Sequence, residues 1–402
     1  MSLLDGIRGL AELELANQRV FVRVDFNVPL DGDRVTDDTR IREALPTLQH
    51  IVDAGARVVI GSHLGRPKPG KHEGLSLEPI GARLSELTGW EVHLPDDCVG
   101  DGPRKVVRDL RAGQVCLLEN LRFHAGEEKD DEAFARRLAE LCDVYVDDAF
   151  GACHRAHASV HALPRLMRDR GCGLLMQKEI AALGRLVAAP ERPYVAVLGG
   201  AKVSDKLAVV EALLAKIDAL CIGGAMANTF LAAKGFDMQA SRVEVDQLPL
   251  ARTLLEKARE RGVDMLLPTD VVVASSFGAD AGEIVDVAQI PAGAMALDIG
   301  PRTVERFAAR FASAATIFWN GPMGLFEKAP FAAGTLGVAT AMSAAPGFTV
   351  VGGGDSAAAV ATAGEAVAAG FKHISTGGGA SLELLEGRKL PGIEALRTAE
   401  IA

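Results

Sequence analysis

Apolar runs of strand length alternate with helix-period segments along the chain, and nearly every run ends in glycines or polar residues. The clearest case lies near the middle. Tyr194–Leu198 is an apolar run that breaks at Gly199 and Gly200, after which Leu207, Val210, Leu214 and Ile217 recur at spacings of three and four. Lys202 and Lys206, four apart, are expected on one face of the first helical turns. A strand–glycine–helix junction carrying two lysines is an anion site, because free backbone N–H groups, the helix dipole and two ammonium groups converge there. The plainer alternative is the charged face of an amphipathic helix. The glycine pair weighs against it, since glycine permits close backbone approach to a ligand.

The same habit repeats on both sides. In the first half, Arg19–Asn27 ends in Asp25 and Asn27, and Arg57–Ile60 runs into Gly61–Pro67. Gln114–Leu118 delivers Glu119–Glu127, and Val144–Val146 delivers Asp147–Arg155. In the second half, Ala219–Ile222 leads to Gly223–Asn228, Asp264–Leu267 to Pro268–Asp270, and Thr316–Phe318 to Trp319–Glu327. Thr349–Val351 leads to Gly352–Ser356, and His373–Ser375 to Thr376–Ser381. Helices are expected over Asp38–Asp53, Leu77–Thr88, Asp131–Cys142 and Ser356–Ala369. This alternation predicts an α/β protein with parallel sheets covered by helices on both faces. Ligands of such sheets bind beyond the carboxyl ends of the strands.

At 402 residues two domains are expected. The alternation pauses around Leu163–Ala189, where Pro164, Pro190 and Pro193 bracket a helical stretch, Leu174–Val187, and the connector is placed there. The formal charge of −10 argues against nucleic-acid and anionic-membrane partners, so an acidic substrate must meet a local basic cluster. The six cysteines contain no C-x-x-C pair, which points to reduced thiols in a cytosolic protein. The first residues lack the features of a signal peptide, and no apolar run reaches the ~18 residues of a membrane span. No P-loop, dinucleotide fingerprint, protein-kinase signature, G-x-S-x-G elbow or H-E-x-x-H is present, so phosphate binding must use another set of glycine loops and helix ends.

The first half places His63, Arg66, Arg122, His124, His154 and Arg155 at strand ends beside Asp25 and Asn27, with Arg40 near a helix start. A lone arginine is usually a solvated surface residue. Several at equivalent topological positions make a pocket for a small, multiply anionic molecule, because guanidinium groups grip phosphate and carboxylate in bidentate fashion. His124 and His154 are either part of that pocket or core and capping residues. Asp355 is either the N-cap of the helix expected at Ser356–Ala369 or a ligand for magnesium on nucleotide phosphates. Gly377–Gly379 offers a further N–H cradle at a helix start. Glu327 is either a surface carboxylate or an acceptor for ribose hydroxyls.

Seven motifs, in order and across essentially the whole chain, resemble those of the phosphoglycerate kinase family. They are Val22–Pro29, Ser62–Pro67, Glu119–His124, Asp148–Gly151 with His154–His157, Gly199–Lys206, Trp319–Pro322 and Gly352–Ser356. The resemblance implies two Rossmann-like domains joined by a helical hinge, with the C-terminal tail returning to the first. The expected division is 1–172 plus 390–402 for 3-phosphoglycerate and 173–389 for the nucleotide. It implies reversible phosphoryl transfer between 1,3-bisphosphoglycerate and ADP, to a carboxyl acceptor, in a cytoplasmic monomer. The implied 3-phosphoglycerate site is Asp25, Phe26, Asn27, Arg40, His63, Leu64, Gly65, Arg66, Arg122 and Arg155. The implied nucleotide site is Gly200, Lys206, Gly224, Asn320, Pro322, Glu327, Gly353, Gly354, Asp355 and Ser356. Asp355 would hold Mg2+, while Lys202, Arg40, Gly354 and Gly378 would surround the moving phosphoryl group. Two departures stand out: Cys153, where the family pattern leads one to expect alanine, and the end of Asp298–Arg302. Cys153 raises the question of oxidation beside the pocket.

Such transfer needs aligned oxygens and positive charge, and no protein nucleophile or general base. Hinge closure is expected to bring the substrates together and exclude water. A two-lobed binding protein without catalysis, an NAD-dependent oxidoreductase and a structural scaffold are the rival readings. The paired lysines argue against the first, the absent fingerprint against the second, and charged groups at so many strand ends against the third.

Overall fold

The computed structural model describes residues 3–68 and 74–398. The chain divides into two compact units, residues 1–181 with 389–402, and residues 182–388. The division falls inside the helix Leu174–Ala188. Residues 1, 2 and 399–402 of the expected first domain lie outside the described residues. Among the described residues no helix is long and apolar enough to cross a membrane.

The first unit is built on six parallel strands. From one edge they are Val92–His93, Val115–Leu117, Arg57–Gly61, Arg19–Arg23, Val144–Asp147 and Arg170–Cys172. Strands buried on both faces must be apolar throughout, and Val20, Phe21, Val22, Val58, Val59 and Ile60 are fully buried. The helix Thr39–Asp53 turns Ile41, Ala44, Leu48 and Ile51 onto this sheet. The short helix Pro391–Leu396 closes the same unit: Gly392 N donates to Cys153 O at 3.0 Å, and the Arg397 guanidinium holds the Asp5 and Leu3 carbonyls.

The second unit has its own six-stranded parallel sheet, in the order Asp264–Leu266, Ala219–Ile222, Tyr194–Leu198, Thr316–Asn320, Phe348–Gly352, His373–Ile374. In chain order this is 3-2-1-4-5-6, the doubly wound arrangement in which the winding reverses beside the first strand. The reversal lies between Tyr194–Leu198 and Thr316–Asn320, so the loops after these two strands meet at the crevice. Trp319 is fully buried, and its indole N–H donates to Gly321 O at 2.8 Å, which fixes the start of the second loop.

Three expectations are corrected. A third sheet is present that the alternation did not reveal: Asp270–Ala274 pairs antiparallel with both Glu283–Asp286 and Met295–Ile299. The expected helix Ser356–Ala369 is two helices, Gly354–Ala363 and Glu365–Gly370, broken at Gly364. Gly364 has φ +102°, where a side chain is strained, and it serves as both the end of one helix and the N-cap of the next. The expected helix carrying Lys202 and Lys206 begins only at Leu207 and ends at Leu214, preceded by a single 3-10 turn, Ser204–Lys206. The two lysines therefore do not share a face of an α-helix.

Nothing lies within 4 Å of a Cβ built on Gly364, so a substitution there tests backbone strain without packing. Gly364→Ala is expected to lower stability by about 1–2 kcal/mol. Equilibrium urea unfolding measures it; an unchanged midpoint would mean the helix break is not held at positive φ.

Candidate functional site

In the first unit the strand ends bring together most of the expected residues around Asp25. Arg40, in the first turn of its helix, donates from Nη1 to Asp25 Oδ2 at 2.7 Å. His63 Nε2 lies 3.9 Å from Asp25 Oδ1, and Arg23 Nη2 lies 3.1 Å from His63 Nδ1. Asn27 Oδ1 accepts from Gly65 N at 2.8 Å, and Arg122 Nη1 donates to Gly65 O at 2.7 Å. These bonds set the Ser62–Pro67 loop against the end of the first strand. The side chains of Phe26 and Leu64 lie in the core, which leaves only their backbone to face a ligand. Arg66 and Arg155 are exposed; Arg155 leans on His154, with Nε 3.1 Å from His154 Nε2. Arg122 Nε is buried without a hydrogen-bond partner.

Burial pushes the Asp25 carboxyl up, and His63, Arg40, Arg23 and the Asn27 N–H more than offset it, so it lies below its ordinary value. Burial pushes His63 down well below 6.5, and Arg23, Arg122 and Arg40 add to that against Asp25. His63 is therefore neutral at neutral pH.

Sequence reading did not single out what stands behind this cluster. Arg23 is fully buried; its Nε donates to Ser159 Oγ at 2.8 Å, and it lies 4.0 Å from the buried Glu127 carboxylate. Glu127 also accepts from Ser159 N at 2.9 Å and Ser159 Oγ at 2.6 Å. A charged residue inside an apolar strand was the available signal, because a buried arginine must be paired. His124 is resolved as a structural residue: Nε2 pairs with Asp97 Oδ1 at 2.6 Å and its ring stacks on Phe134 at 5.2 Å. Cys98 stands beside that pair, but Asp97 is already committed to His124 and to the Cys98 N–H. Cys153 is fully buried against Asp147, and burial pushes its thiol well up, so it stays protonated and shielded from oxidants. All six cysteines are buried and free.

In the second unit the loops after four strands converge. Lys206 donates to Asn320 Oδ1, and Asn320 Nδ2 donates to Gly352 O at 2.6 Å. Ser356 Oγ accepts from Gly321 N at 2.6 Å. One side chain from each of two loops thus ties three strand ends together. Burial pushes Lys206 down, and Asp355 and Asp205 oppose that. Gly200, Lys202, Lys206, Asn320, Pro322, Gly353, Gly354, Asp355, Ser356 and Gly378 line one cavity of about 370 Å³. A second of about 260 Å³, mostly apolar, adjoins it through Gly200, Ala201, Pro322 and Asp355. Gly224 and Glu327 line the second, with Met295 and Leu297 from the antiparallel sheet and Phe277 from the turn between two of its strands. That sheet supplies the apolar wall that the sequence reading lacked. Its signal was two apolar runs, Val271–Val273 and Met295–Leu297, with turn residues and no helix pattern between.

Three of these glycines have a packing reason. A Cβ on Gly199 would meet the carbonyls of Pro322 and Gly321, and one on Gly224 would lie 2.6 Å from Gly200 O. A Cβ on Gly321 would meet Gly199 O. These positions need glycine because loop backbones touch one another. Gly354 differs: nothing lies within 4 Å of its Cβ position. The N-cap of its helix is Gly353, at φ +97°, so Asp355 is not the cap. Asp355 is exposed in the first turn, and its carboxylate makes no hydrogen bond to any described residue.

A model of the phosphoglycerate kinase family matches residues 10–388. The chain belongs to that family. It is similar to a phosphoglycerate kinase of Anaeromyxobacter sp. strain Fw109-5, 58% identical over 97% of this chain and 99% of the relative. One from Moorella thermoacetica is 56% identical over 96% and 98%. Among solved structures, the phosphoglycerate kinase of Coxiella burnetii superposes with TM-score 0.86 at 38% identity, covering 97% of this chain and 98% of that one. The enzyme from Pyrococcus horikoshii OT3 gives TM-score 0.86 at 35% identity, over 96% and 98%.

The depressed His63 fixes a sign for stability against pH. The unfolded chain takes up the proton near 6.5 and the folded chain does not, so stability present above that value is lost as pH falls below it. His157, pushed to about 4, acts in the same direction. Asp147, at about 6, with Asp148 and Asp298, both at about 7, act oppositely, losing stability as pH rises from their ordinary range. His63→Gln is expected to flatten the acid-side loss between pH 6.5 and 5 by up to about 1.4 kcal/mol per pH unit. Urea unfolding of parent and variant across that window measures the difference; parallel curves would show that His63 titrates normally.

Proposed function

We propose that this chain catalyses the reversible transfer of a phosphoryl group between 1,3-bisphosphoglycerate and ADP, giving 3-phosphoglycerate and ATP. The observation that carries this reading is the division of charge between two sets of strand ends. One has arginines and a neutral histidine around Asp25; the other has glycine loops and lysines beside an apolar cavity. In this reading 3-phosphoglycerate binds the first unit through Asp25, Asn27, Arg40, His63, Arg66, Arg122 and Arg155. Backbone at Phe26, Leu64 and Gly65 shapes the same site. Arg122 Nε makes no hydrogen bond and only a 3.6 Å approach to Glu128 Oε1, which supports an anionic ligand there.

The nucleotide base enters the apolar cavity of the second unit, with Glu327 at its ribose edge. Its phosphates run over Gly200, Lys206, Asn320 and the Gly353–Ser356 loop. Asp355 fits a magnesium role because its carboxylate is exposed, free of capping duty and adjacent to both cavities. Magnesium there would neutralise phosphate charge and shape the nucleotide. Lys206 stays oriented by Asn320 while burial keeps its ammonium poorly hydrated, which strengthens its hold on a phosphate. Lys202, Arg40 and the N–H groups near Gly354 and Gly378 stabilise charge on the transferring group. The acceptor is a carboxylate, so no proton needs removal and the in-line transfer requires no general base. The chain works as a cytoplasmic monomer, without nucleic-acid or membrane partners.

The test is ATP consumption with 3-phosphoglycerate and magnesium, coupled to glyceraldehyde-3-phosphate dehydrogenase and NADH oxidation. Arg40→Ala and Lys202→Ala are each expected to lower kcat by on the order of 10²–10³ with small changes in KM. Asp355→Ala is expected to raise the magnesium concentration needed for half-maximal rate. No turnover by the folded parent overturns the reading; a KM rise at constant kcat removes the transition-state role.

Substrates held on separate units must be brought together, so closure about the connecting helix belongs to this reading. A smaller radius of gyration by solution scattering with both substrates is expected, and an unchanged one counts against closure.

A further inference from the structure

The lysine-bearing loop poses a capping problem that its own residues do not solve. Lys202 precedes and Lys206 ends a 3-10 turn, Ser204–Lys206, whose N-cap is Val203. A valine side chain accepts no hydrogen bond, so the first N–H groups of the turn need an acceptor from elsewhere. Glu244 supplies it from 40 residues away. Its Oε2 accepts from Val203 N at 2.5 Å and from Ser204 N at 3.3 Å, and its Oε1 accepts from Ser204 Oγ at 2.6 Å.

Glu244 is itself held. Its backbone N–H donates to Thr229 Oγ1 at 3.1 Å, and the neighbouring Asn228 Nδ2 donates to Arg242 O at 3.3 Å. Both Asn228 and Thr229 are buried in the helix Gly224–Ala233, whose first residue packs its backbone on Gly200. Met226 N donates to Gly200 O at 3.0 Å from the same helix. One rigid helix therefore fixes the lysine loop at two places: directly at Gly200, and through Glu244 at Val203 and Ser204. Between and beside these anchors stand the two ammonium groups.

We infer that Glu244 is a positioning residue for phosphoryl transfer, capping the Val203–Ser204 turn so that Lys202 and Lys206 are held in place before nucleotide arrives. This rests on the function proposed above. The role belongs to the acceptor oxygens. A glutamine keeps one carbonyl oxygen for the two backbone N–H groups and turns its amide to Ser204 Oγ, which can accept. Glutamine is therefore predicted to restore what alanine removes. The 3-phosphoglycerate groups lie on the other unit and are not touched by the change.

The experiment is steady-state kinetics in the coupled assay for the parent, Glu244→Ala, Glu244→Gln, Ser204→Ala and the Glu244→Ala/Ser204→Ala double variant, with thermal melts of each. Glu244→Ala is expected to lower kcat by on the order of 10- to 100-fold, the cost of displacing catalytic groups by about an ångström, with KM for 3-phosphoglycerate and the melting temperature unchanged. Glu244→Gln is expected within about threefold of the parent. The double variant is expected to lose no more than Glu244→Ala alone, because both changes break one interaction. A parent without turnover would sink the proposed function. A working parent with Glu244→Ala at the parental rate would overturn the inference. So would additive losses in the double variant, or equal losses in the glutamine and alanine variants. Should Glu244→Ala fail to fold, Ser204→Ala alone decides, since Ser204 is exposed: a lowered kcat at constant melting temperature supports the inference, and a parental kcat overturns it.

Discussion

The second unit depends on backbone touching backbone where three loops meet. Gly199, Gly224 and Gly321 stand where any Cβ would strike a neighbouring carbonyl or amide. Direct main-chain bonds replace the missing side chains: Gly200 N to Pro322 O at 3.0 Å, and Gly224 N to Met323 O at 2.8 Å. Because these loops are packed so closely, their few polar side chains can reach one another. Asn320 then spans from Lys206 to the Gly352 carbonyl without a water between. The glycine-rich sequence thus builds a rigid floor first, and the polar side chains are set on that floor. Preorganised donors of this kind cost no reorganisation when charge develops on a ligand.

The first unit reaches the same end by the opposite means. There the strand ends carry large charged side chains, and the order comes from pairing buried charge. Arg23 sits between Ser159 and Glu127 on one side and His63 on the other. Burial, with this guanidinium adding to it, keeps His63 neutral, and Asp25 beyond it holds Arg40. An unpaired buried arginine would be prohibitively costly, so the network is complete on its inner side. Its open outer side is where Arg66 and Arg155 stand exposed.

The parts legible in the sequence were those with a period or a repeated placement. Both parallel sheets follow from apolar runs, because strands covered on both faces leave no polar alternation to misread. The residues gathered around Asp25 were found because they stand at strand ends or, for Arg40, at a helix start. What was missed depended on distances along the chain that no local pattern records. The antiparallel sheet Asp270–Ala274, Glu283–Asp286, Met295–Ile299 interrupts the alternation and walls the apolar cavity. Arg23 and Glu127, far apart in the chain, meet at 4.0 Å and share Ser159, and Glu244 caps a turn 40 residues earlier. The lysine spacing misled for a plain reason: four residues apart means one face only if the segment is already helical, and Val203 cannot start a helix alone. Asp355 shows the reverse, since a glycine at positive φ took the capping position and left the carboxylate free.

The closing helix Pro391–Leu396 packs on Cys153, and Arg397 reaches the carbonyls of Leu3 and Asp5. The unit that holds the first residues is therefore completed by residues near 400, with the whole second unit made in between. During translation the order of completion is inverted. A nascent chain that has emerged as far as Arg388 carries every strand of the second unit, while the first still exposes the surface its last helix will cover. The lobe made before the other is thus sealed only after the other's strands are complete.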